Sequence, residues 1–319
     1  MLLFNGTESF YNSTPNSWCD IAHGVDIFAV TMLSLIMLNI IFHSIGCYLL
    51  LKLYKNGKEN VQQIYLINLS ITHTLGNMFQ LISRVLLMVK NGDTAYFCII
   101  VILLTLFTFS YYMSMVYITV DKALDILLNI KYPLYWNEHR AKYLIYFTWL
   151  VGVLTSVFVF VLHYVGNITV ENIADHMFLY VYPLFDFTFV VLAVLCYSFL
   201  FHKYKQSRFS PCCPQNNVKI FNCKFRAVTG RVLKIFRTSN FYISVLLILT
   251  FLIFMVIPNL VYLVYGVLGG NKSKTLDDTL LILFNISYLL DAWIYIFAQQ
   301  PVRRMLFKKL RLSMRCYLI

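Results

Sequence analysis

Ionisable side chains inside long apolar stretches could do chemistry in this sequence, and we single out four of them. They are His73, Arg84, Asp186 and Asp291. A titratable or charged group at membrane depth is costly, is usually paired, and often marks a ligand site or a proton path. We therefore take Arg84 and Asp186 as candidate ligand contacts, although each could instead snorkel toward water or pair with a neighbouring loop. No nucleophile arrangement, metal cluster or phosphate-binding loop accompanies them, so we expect neither an enzyme nor a cofactor.

Seven apolar segments must position these side chains. Each is long enough for the ~20 residues that cross ~30 Å of hydrocarbon. Because 60% of the 319 residues are hydrophobic and only 13% are charged, the composition predicts a single all-α domain, an integral membrane bundle of seven transmembrane helices. The segments are 26 to 52, 62 to 89, 95 to 121, 142 to 165, 177 to 202, 239 to 267 and 277 to 299.

The connectors between these segments alternate in chemistry. Most of the 26 Lys and Arg residues fall in one set, which the positive-inside rule assigns to the cytoplasm. The N-terminal tail and the other set hold the sequons that could be glycosylated, at Asn5, Asn12, Asn167 and Asn271. This pattern predicts a multi-pass plasma-membrane protein with its N-terminus outside and its C-terminus in the cytoplasm. The basic segments would face anionic lipid headgroups and cytosolic partners, not nucleic acid.

Three regions follow from this topology. Residues 1–25 form a short, polar, glycosylated tail, residues 26–299 form the helix bundle, and residues 300–319 have amphipathic helical spacing. In the last region apolar side chains share one face and basic ones surround the other, which predicts a short helix lying along the inner leaflet. Cys316, near its end, could be acylated or could remain a free thiol.

The cysteines of the longest basic connector could be taken for a metal site. Cys212, Cys213 and Cys223 lie there, on the reducing side of the membrane, and His202 precedes them. Adjacent cysteines are not the spaced ligand pair that zinc sites use. We therefore expect no bound metal.

Several short motifs occur in a fixed order along the segments. With these motifs the chain resembles the rhodopsin-like (class A) G-protein-coupled receptors over essentially its whole length. The motifs are Asn68-Leu-Ser-Ile-Thr-His73, Val120-Asp121-Lys122-Ala123, Asn129-Ile-Lys-Tyr-Pro-Leu-Tyr-Trp136, Trp149, Phe254-Met-Val-Ile-Pro258 and Asp291-Ala-Trp-Ile-Tyr295. The sequence departs from the family's pattern where His73 replaces an aspartate and Lys122 replaces an arginine. It departs again where Met255 and Val256 replace a Cys-Trp pair, and where the last motif lacks its proline.

The resemblance implies a receptor that carries the signal of an unidentified small-molecule or peptide ligand to a heterotrimeric G protein. Its switch residues would be Asp121, Lys122, Pro133, Pro258 and Tyr295. In this family the acid of the third segment holds the adjacent base in the resting state. Lys122 keeps the charge but lacks the planar fork of arginine, so the resting contact would be looser. Alternatively, the two residues simply lie in the wet headgroup zone.

The resemblance also implies that His73 and Asp291 meet near the middle of the bundle. We hypothesise that they contact each other, that Asp291 favours a protonated His73, and that receptor state is thereby coupled to pH. Tyr111 would fill the same region, and sodium is not expected there. The alternative is a hydrogen bond that packs helices and has no switching role.

Two absences restrict the ligand. The outer half of the third segment has no acid, which disfavours a biogenic-amine receptor, and Asn285 stands where visual pigments attach retinal, so no retinal is expected. Asn285 is therefore a third ligand candidate. Cys98 stands near the family's disulfide position, but the loop that usually supplies its partner has no cysteine. A bridge from Cys98 to Cys19 is one possibility, and two separate free thiols are the other.

Two other functions compete with the receptor interpretation. The altered motifs are compatible with a receptor-like protein that no longer couples to G proteins. A seven-helix transporter or channel would need several ionisable or polar groups along one path, and the segments offer few.

Overall fold

The computed structural model describes residues 27–55, 61–89, 94–128, 132–164, 181–209, 239–267, 274–299 and 301–307. These residues are almost entirely helical, and no strand occurs among them. A short helix, Tyr132–Tyr135, lies between the third and fourth long helices. The long helices are α1 (Ile27–Lys55), α2 (Val61–Val89), α3 (Thr94–Leu128), α4 (Glu138–Tyr164), α5 (Tyr182–Phe209), α6 (Ser239–Phe251, Leu252–Val256 and Ile257–Val267) and α7 (Lys274–Trp293 and Ile294–Ala298).

Six of these helices are long and apolar enough to cross a membrane, which makes the chain a multi-pass membrane protein. The candidate spans are Phe28–Lys55, Leu103–Asp125, Glu138–Val161, Tyr182–Phe199, Tyr242–Tyr265 and Asp278–Ala298. Helix α2 is not among them, although its 29 residues correspond to about 44 Å. Many of its polar side chains are buried inside the bundle, including Gln62, Asn68, Ser70, Thr72, His73 and Asn77. The prediction of an all-helical membrane protein is confirmed, and α2 differs from the other helices in its polarity.

The helices pack so that α2 and α3 form the centre of the bundle. Helix α2 packs against α1, α3 and α4, while α3 also contacts α4, α5 and α6, and α7 returns to α1. The largest fully buried side chains, among them Tyr65, Tyr111, Phe251 and Tyr295, lie between these helices. The face of α4 that is directed away from the bundle instead exposes Tyr143 and further large apolar residues along its length. A surface of that size suits contact with lipid tails, because soluble monomers rarely expose one.

Two helix bounds differ from the predicted segments in ways that matter for function. Helix α3 ends at Leu128 and not at residue 121, so Asp121 and Lys122 lie within the helix. Helix α4 begins at Glu138, four residues before the predicted start at 142. Polar residues at a membrane boundary can still be helical when their side chains have hydrogen-bond or ion-pair partners. A hydropathy profile does not detect such partners.

Helices α6 and α7 each contain a π-helical turn, which the sequence did not predict. In α6 the turn Leu252–Val256 comes just before Pro258, and the Ile257 N–H donates to the Leu252 carbonyl five residues earlier. Proline has no N–H and its ring crowds the preceding turn, so wider spacing at this point relieves the conflict. In α7 the turn Ile294–Ala298 contains Tyr295. Such turns are frequent at functional sites.

The chain continues past α7 into a helical stretch over residues 301–307. Val302 is buried, Met305 and Leu306 pack against the core, and Arg303 and Arg304 are exposed. The described part of the C-terminal region therefore has one apolar and one basic face. The rest of that region, with Cys316, lies outside the described residues, as do Cys19 and the sequons at Asn5, Asn12, Asn167 and Asn271. Cys98 belongs to α3, but its side chain is also outside the description.

Candidate functional site

The centre of the bundle contains a buried polar cluster to which four helices contribute. The structure brings His73 of α2 and Asp291 of α7 together, with 3.5 Å between Nε2 and Oδ2. Tyr111 of α3 donates to the same carboxylate oxygen at 3.1 Å. The other oxygen, Oδ1, has no hydrogen-bond partner within the described part of the chain. Asp291 is therefore a fully buried carboxyl group whose neighbours include one hydroxyl donor and one imidazole, an arrangement that can hold or exchange a proton.

Aromatic rings enclose His73 on three sides. Its ring centroid lies 4.6 Å from Tyr111, 4.5 Å from Tyr288 and 4.4 Å from His43. At an effective dielectric of about 20, two unit charges ~4 Å apart repel by about 4 kcal/mol. His43 and His73 are therefore disfavoured from being positively charged at the same time, and the cluster accommodates at most one imidazolium.

His43 of α1 is a member of this cluster that the sequence reasoning missed. Its Nε2 lies 2.9 Å from the Tyr288 carbonyl, and its Nδ1 contacts the Tyr295 hydroxyl. The backbone carbonyl of His43 accepts a hydrogen bond from Ser70 at 2.7 Å. A lone histidine within the first apolar segment is itself a signal, because ionisable residues at membrane depth are rarely without a role.

An amide cluster lies on α1, α2 and α7 and uses the polar atoms of Asn285. Asn39 of α1 directs its Nδ2 at the Asn285 carbonyl, 3.1 Å away, and at the Asn285 and Asn77 side-chain oxygens, 3.4 and 3.5 Å away. The Asn285 amide donates to the Leu281 carbonyl at 2.9 Å. The residue predicted as a ligand contact therefore faces α1 and links helices.

A second cluster surrounds Asp121 near the end of α3. Asp121 is fully buried, and its Oδ2 lies 3.2 Å from the Lys122 ammonium, which also reaches Asp125 at 3.5 Å. Its Oδ1 accepts hydrogen bonds from the Tyr132 hydroxyl, at 2.5 Å, and from the Trp136 indole, at 3.0 Å. Pro133 lies in the short helix between these two donors. The segment that follows α3 thus closes over the predicted switch residues.

Tyr132 is a neutral donor to this carboxylate. Burial, followed by the negative charge of Asp121, raises the pKa of Tyr132 above that of a free tyrosine. The hydroxyl therefore keeps its hydrogen at physiological pH, and the contact with Asp121 persists. Tyr132 and Trp136 belong to a motif that resembles the family's second inner loop, and the motif alone predicts no contact for either side chain.

The other two ligand candidates have different surroundings. Asp186 of α5 is fully buried and accepts a hydrogen bond of 2.9 Å from Asn259, which follows Pro258 in α6 and also lies 3.4 Å from the Tyr112 hydroxyl. Arg84 of α2 lies within electrostatic range of Asp278, at the start of α7. Asp186 thus joins α5 to α6. The acid near Arg84 belongs to α7 and not to a loop, so pairing of Arg84 with a neighbouring loop stays a prediction.

Asn68 connects three helices and provides a stability test. Its amide donates to Ser114 at 2.8 Å, and its Oδ1 accepts from the Trp149 indole at 2.9 Å. Asn68→Ala should lower the free energy of unfolding by about 2 kcal/mol, since a buried indole donor loses its acceptor. Thermal unfolding of the purified protein in detergent would measure this. With Trp149→Phe as the second substitution, the double variant should lose less than the sum of the two, and additive losses would contradict the contact.

No protein-family model matches this chain, and no curated protein matches it.

Proposed function

We propose that this protein is a seven-helix plasma-membrane receptor that couples an extracellular ligand to a heterotrimeric G protein. One observation carries the proposal, the buried Asp121–Lys122 pair. Tyr132 and Trp136, in the segment that follows α3, both donate hydrogen bonds to its carboxylate. Buried charges are paired at considerable cost, so such a pair suits a conformational switch better than simple packing. The ordered motifs in the sequence support the same interpretation.

The proposed membrane topology has α2 as the remaining span. Its length of 29 residues is sufficient, and its polar side chains would be shielded from lipid by α1, α3 and α4. The basic connectors would then lie in the cytoplasm and the sequons outside. With this orientation Asp121 and Lys122 lie on the side where a G protein would bind.

In the proposed mechanism the signal passes along α6. A ligand in the outer half of the bundle would change the contact between Asp186 and Asn259, next to Pro258 and the π-helical turn. Movement of α6 about that turn would alter the packing of its inner half against α3. Lys122 would then leave its two carboxylates and reach the G protein. The change is conformational and requires differential ligand affinity for the two states, with no covalent step.

Ligand-independent recruitment of G proteins in cells tests the proposal directly. Surface expression of the full chain should produce recruitment of at least one G-protein class above that of a non-expressing control. Failure with every class, despite surface expression, would overturn the proposal. It would favour a receptor-like protein that does not couple, an alternative supported by the lysine at position 122 and by the missing proline before Tyr295.

Lys122→Arg should lower this basal recruitment. A guanidinium can make two parallel hydrogen bonds to a carboxylate, so it would hold Asp121 and Asp125 more firmly than the ammonium does. We expect a roughly two- to fivefold decrease. Unchanged basal and stimulated recruitment would exclude residue 122 from the switch, and the exposed Lys142→Arg serves as the matched control.

A further inference from the structure

The contact between His43 and Tyr295 joins the first helix to the π-helical turn of the last. Both side chains are fully buried, and the Tyr295 hydroxyl meets His43 Nδ1. Gly46, one turn further along α1, has no side chain, and any Cβ there would collide with the Tyr295 ring. Helix α1 is therefore shaped to receive this tyrosine, and the hydroxyl is directed at one imidazole nitrogen.

The hydrogen bonds around His43 define its tautomer. The Tyr288 carbonyl can only accept, so Nε2 at 2.9 Å carries the hydrogen. In a neutral imidazole Nδ1 is then a free acceptor, and the Tyr295 hydroxyl donates to it. Ser70 cannot replace this acceptor equally well, because its Oγ lies 3.3 Å from the hydroxyl and its own hydrogen is directed at the His43 carbonyl.

We propose that neutral His43 is the positioning residue that holds Tyr295 against α1 in the resting bundle, and that uptake of a proton at Nδ1 disrupts this arrangement. The proton comes from water and forms an N–H bond at Nδ1 with the lone pair that had accepted the hydroxyl hydrogen. The hydroxyl must then turn its hydrogen toward Ser70. The role in signalling rests on the proposed receptor function, whereas the hydrogen bond and its dependence on protonation do not.

The surroundings of His43 disfavour the charged form. Its ring lies 4.4 Å from His73, and no carboxylate among the described residues forms an ion pair with it. Asp291 is paired with His73 instead. The titratable groups facing this region are Cys47 on α1, His73 on α2, Tyr111 on α3, and Tyr288, Asp291 and Tyr295 on α7. An imidazolium at His43 would therefore destabilise the resting state as the pH falls.

Two substitutions distinguish the role of His43 Nδ1 as a hydrogen-bond acceptor from its ability to take up a proton. His43→Asn retains an amide oxygen near the position of Nδ1 but takes up no proton, and His43→Phe retains a ring without an acceptor. The full chain would be reconstituted in nanodiscs, so that both faces meet the same buffer, and studied at about pH 7.5 and about pH 5.5, on either side of the ordinary imidazole value. The thermal unfolding midpoint of the native protein should fall on acidification, and that of His43→Asn should fall less.

G-protein recruitment by the same samples reports on the role in signalling. Near pH 7.5, His43→Phe and Tyr295→Phe should each raise basal recruitment by roughly three- to tenfold, the factor that corresponds to one lost hydrogen bond. The double variant should show no further increase. Acidification should raise recruitment by the native protein but not by His43→Asn.

Two results would overturn the proposal: an equal pH response of unfolding in native protein and His43→Asn, or additive effects of His43→Phe and Tyr295→Phe on the unfolding midpoint. If no sample recruits a G protein, the receptor function fails, and the unfolding measurements still decide whether His43 holds Tyr295.

Discussion

Asp121→Ala is expected to lower the free energy of unfolding by about 3 to 5 kcal/mol, the usual cost of breaking a buried ion pair. Lys122 is only 4% exposed and would keep Asp125 as its remaining acid. Tyr132 and Trp136 would both lose the oxygen to which they donate. The segment after α3 would then no longer be attached to the helix, so basal G-protein recruitment should rise at the same time.

Asp121→Asn and Asp125→Asn are the controls for this result. The first retains an oxygen for Tyr132 and Trp136 and removes only the charge, so its loss of stability should be smaller than that of Asp121→Ala. The second removes an acid whose side chain is 43% exposed, and exposed pairs contribute no more than about 1 kcal/mol. Chemical unfolding in detergent, with recruitment measured in parallel, would compare them. If Asp121→Ala and Asp125→Asn lowered the free energy of unfolding equally, burial of Asp121 would not contribute to stability.

His73→Asp should be the most damaging single substitution in the central cluster. It places a second carboxylate beside Asp291, where His73 Nε2 now lies 3.5 Å from Oδ2. Aspartate is shorter than histidine, so the two carboxylates would lie farther apart than this. Their repulsion is therefore below the value of about 4 kcal/mol that two like charges ~4 Å apart have at an effective dielectric of about 20, and one carboxylate can take up a proton instead. We therefore expect a large fall in surface expression and in the unfolding midpoint, partly recovered at acidic pH.

Addition of Asp291→Asn should rescue this variant. The double substitution exchanges the acid between α2 and α7 and restores a single carboxylate with an amide donor. If the exchanged protein unfolds like the native one but loses the pH dependence of recruitment, the pair has a switching role. If both stability and pH dependence are unchanged, the pair serves only to pack the helices. A failure of Asp291→Asn to rescue would contradict the contact itself.

Hydropathy was sufficient to locate the helices because lipid imposes a length and a composition on any span. Helix α6 occupies the predicted range of 239–267, and α1 and α7 begin close to their predicted starts. Helix α2 was also located, although its buried polar residues set its composition apart. The π-helical turns were beyond prediction, since the residues of Leu252–Val256 and Ile294–Ala298 are ordinary helix formers and only the positions of their carbonyls and N–H groups reveal the wider turn.

The candidate site was predictable only where a motif singled out a residue. His73, Asp291, Asp121 and Lys122 were found in this way, and the structure places each pair in contact. His43 was not found, because no motif singles it out and its partners Tyr288 and Tyr295 are distant in sequence. The acceptor role of Asp121 toward two aromatic donors depends on how the chain turns after α3, which no local pattern specifies.

The order of synthesis gives the contacts of α1 a further consequence. Asn39 and His43 find partners that lie 246 and 245 positions later, in α7. As the chain emerges from the ribosome, α1 enters the membrane long before those partners exist, and its polar groups must meanwhile bond to water, lipid headgroups or an insertion factor. Assembly of the bundle is therefore completed by its last helix. A nascent chain that stops before α7 leaves the His43 ring without both of its hydrogen-bond partners and leaves Asn39 with Asn77 alone.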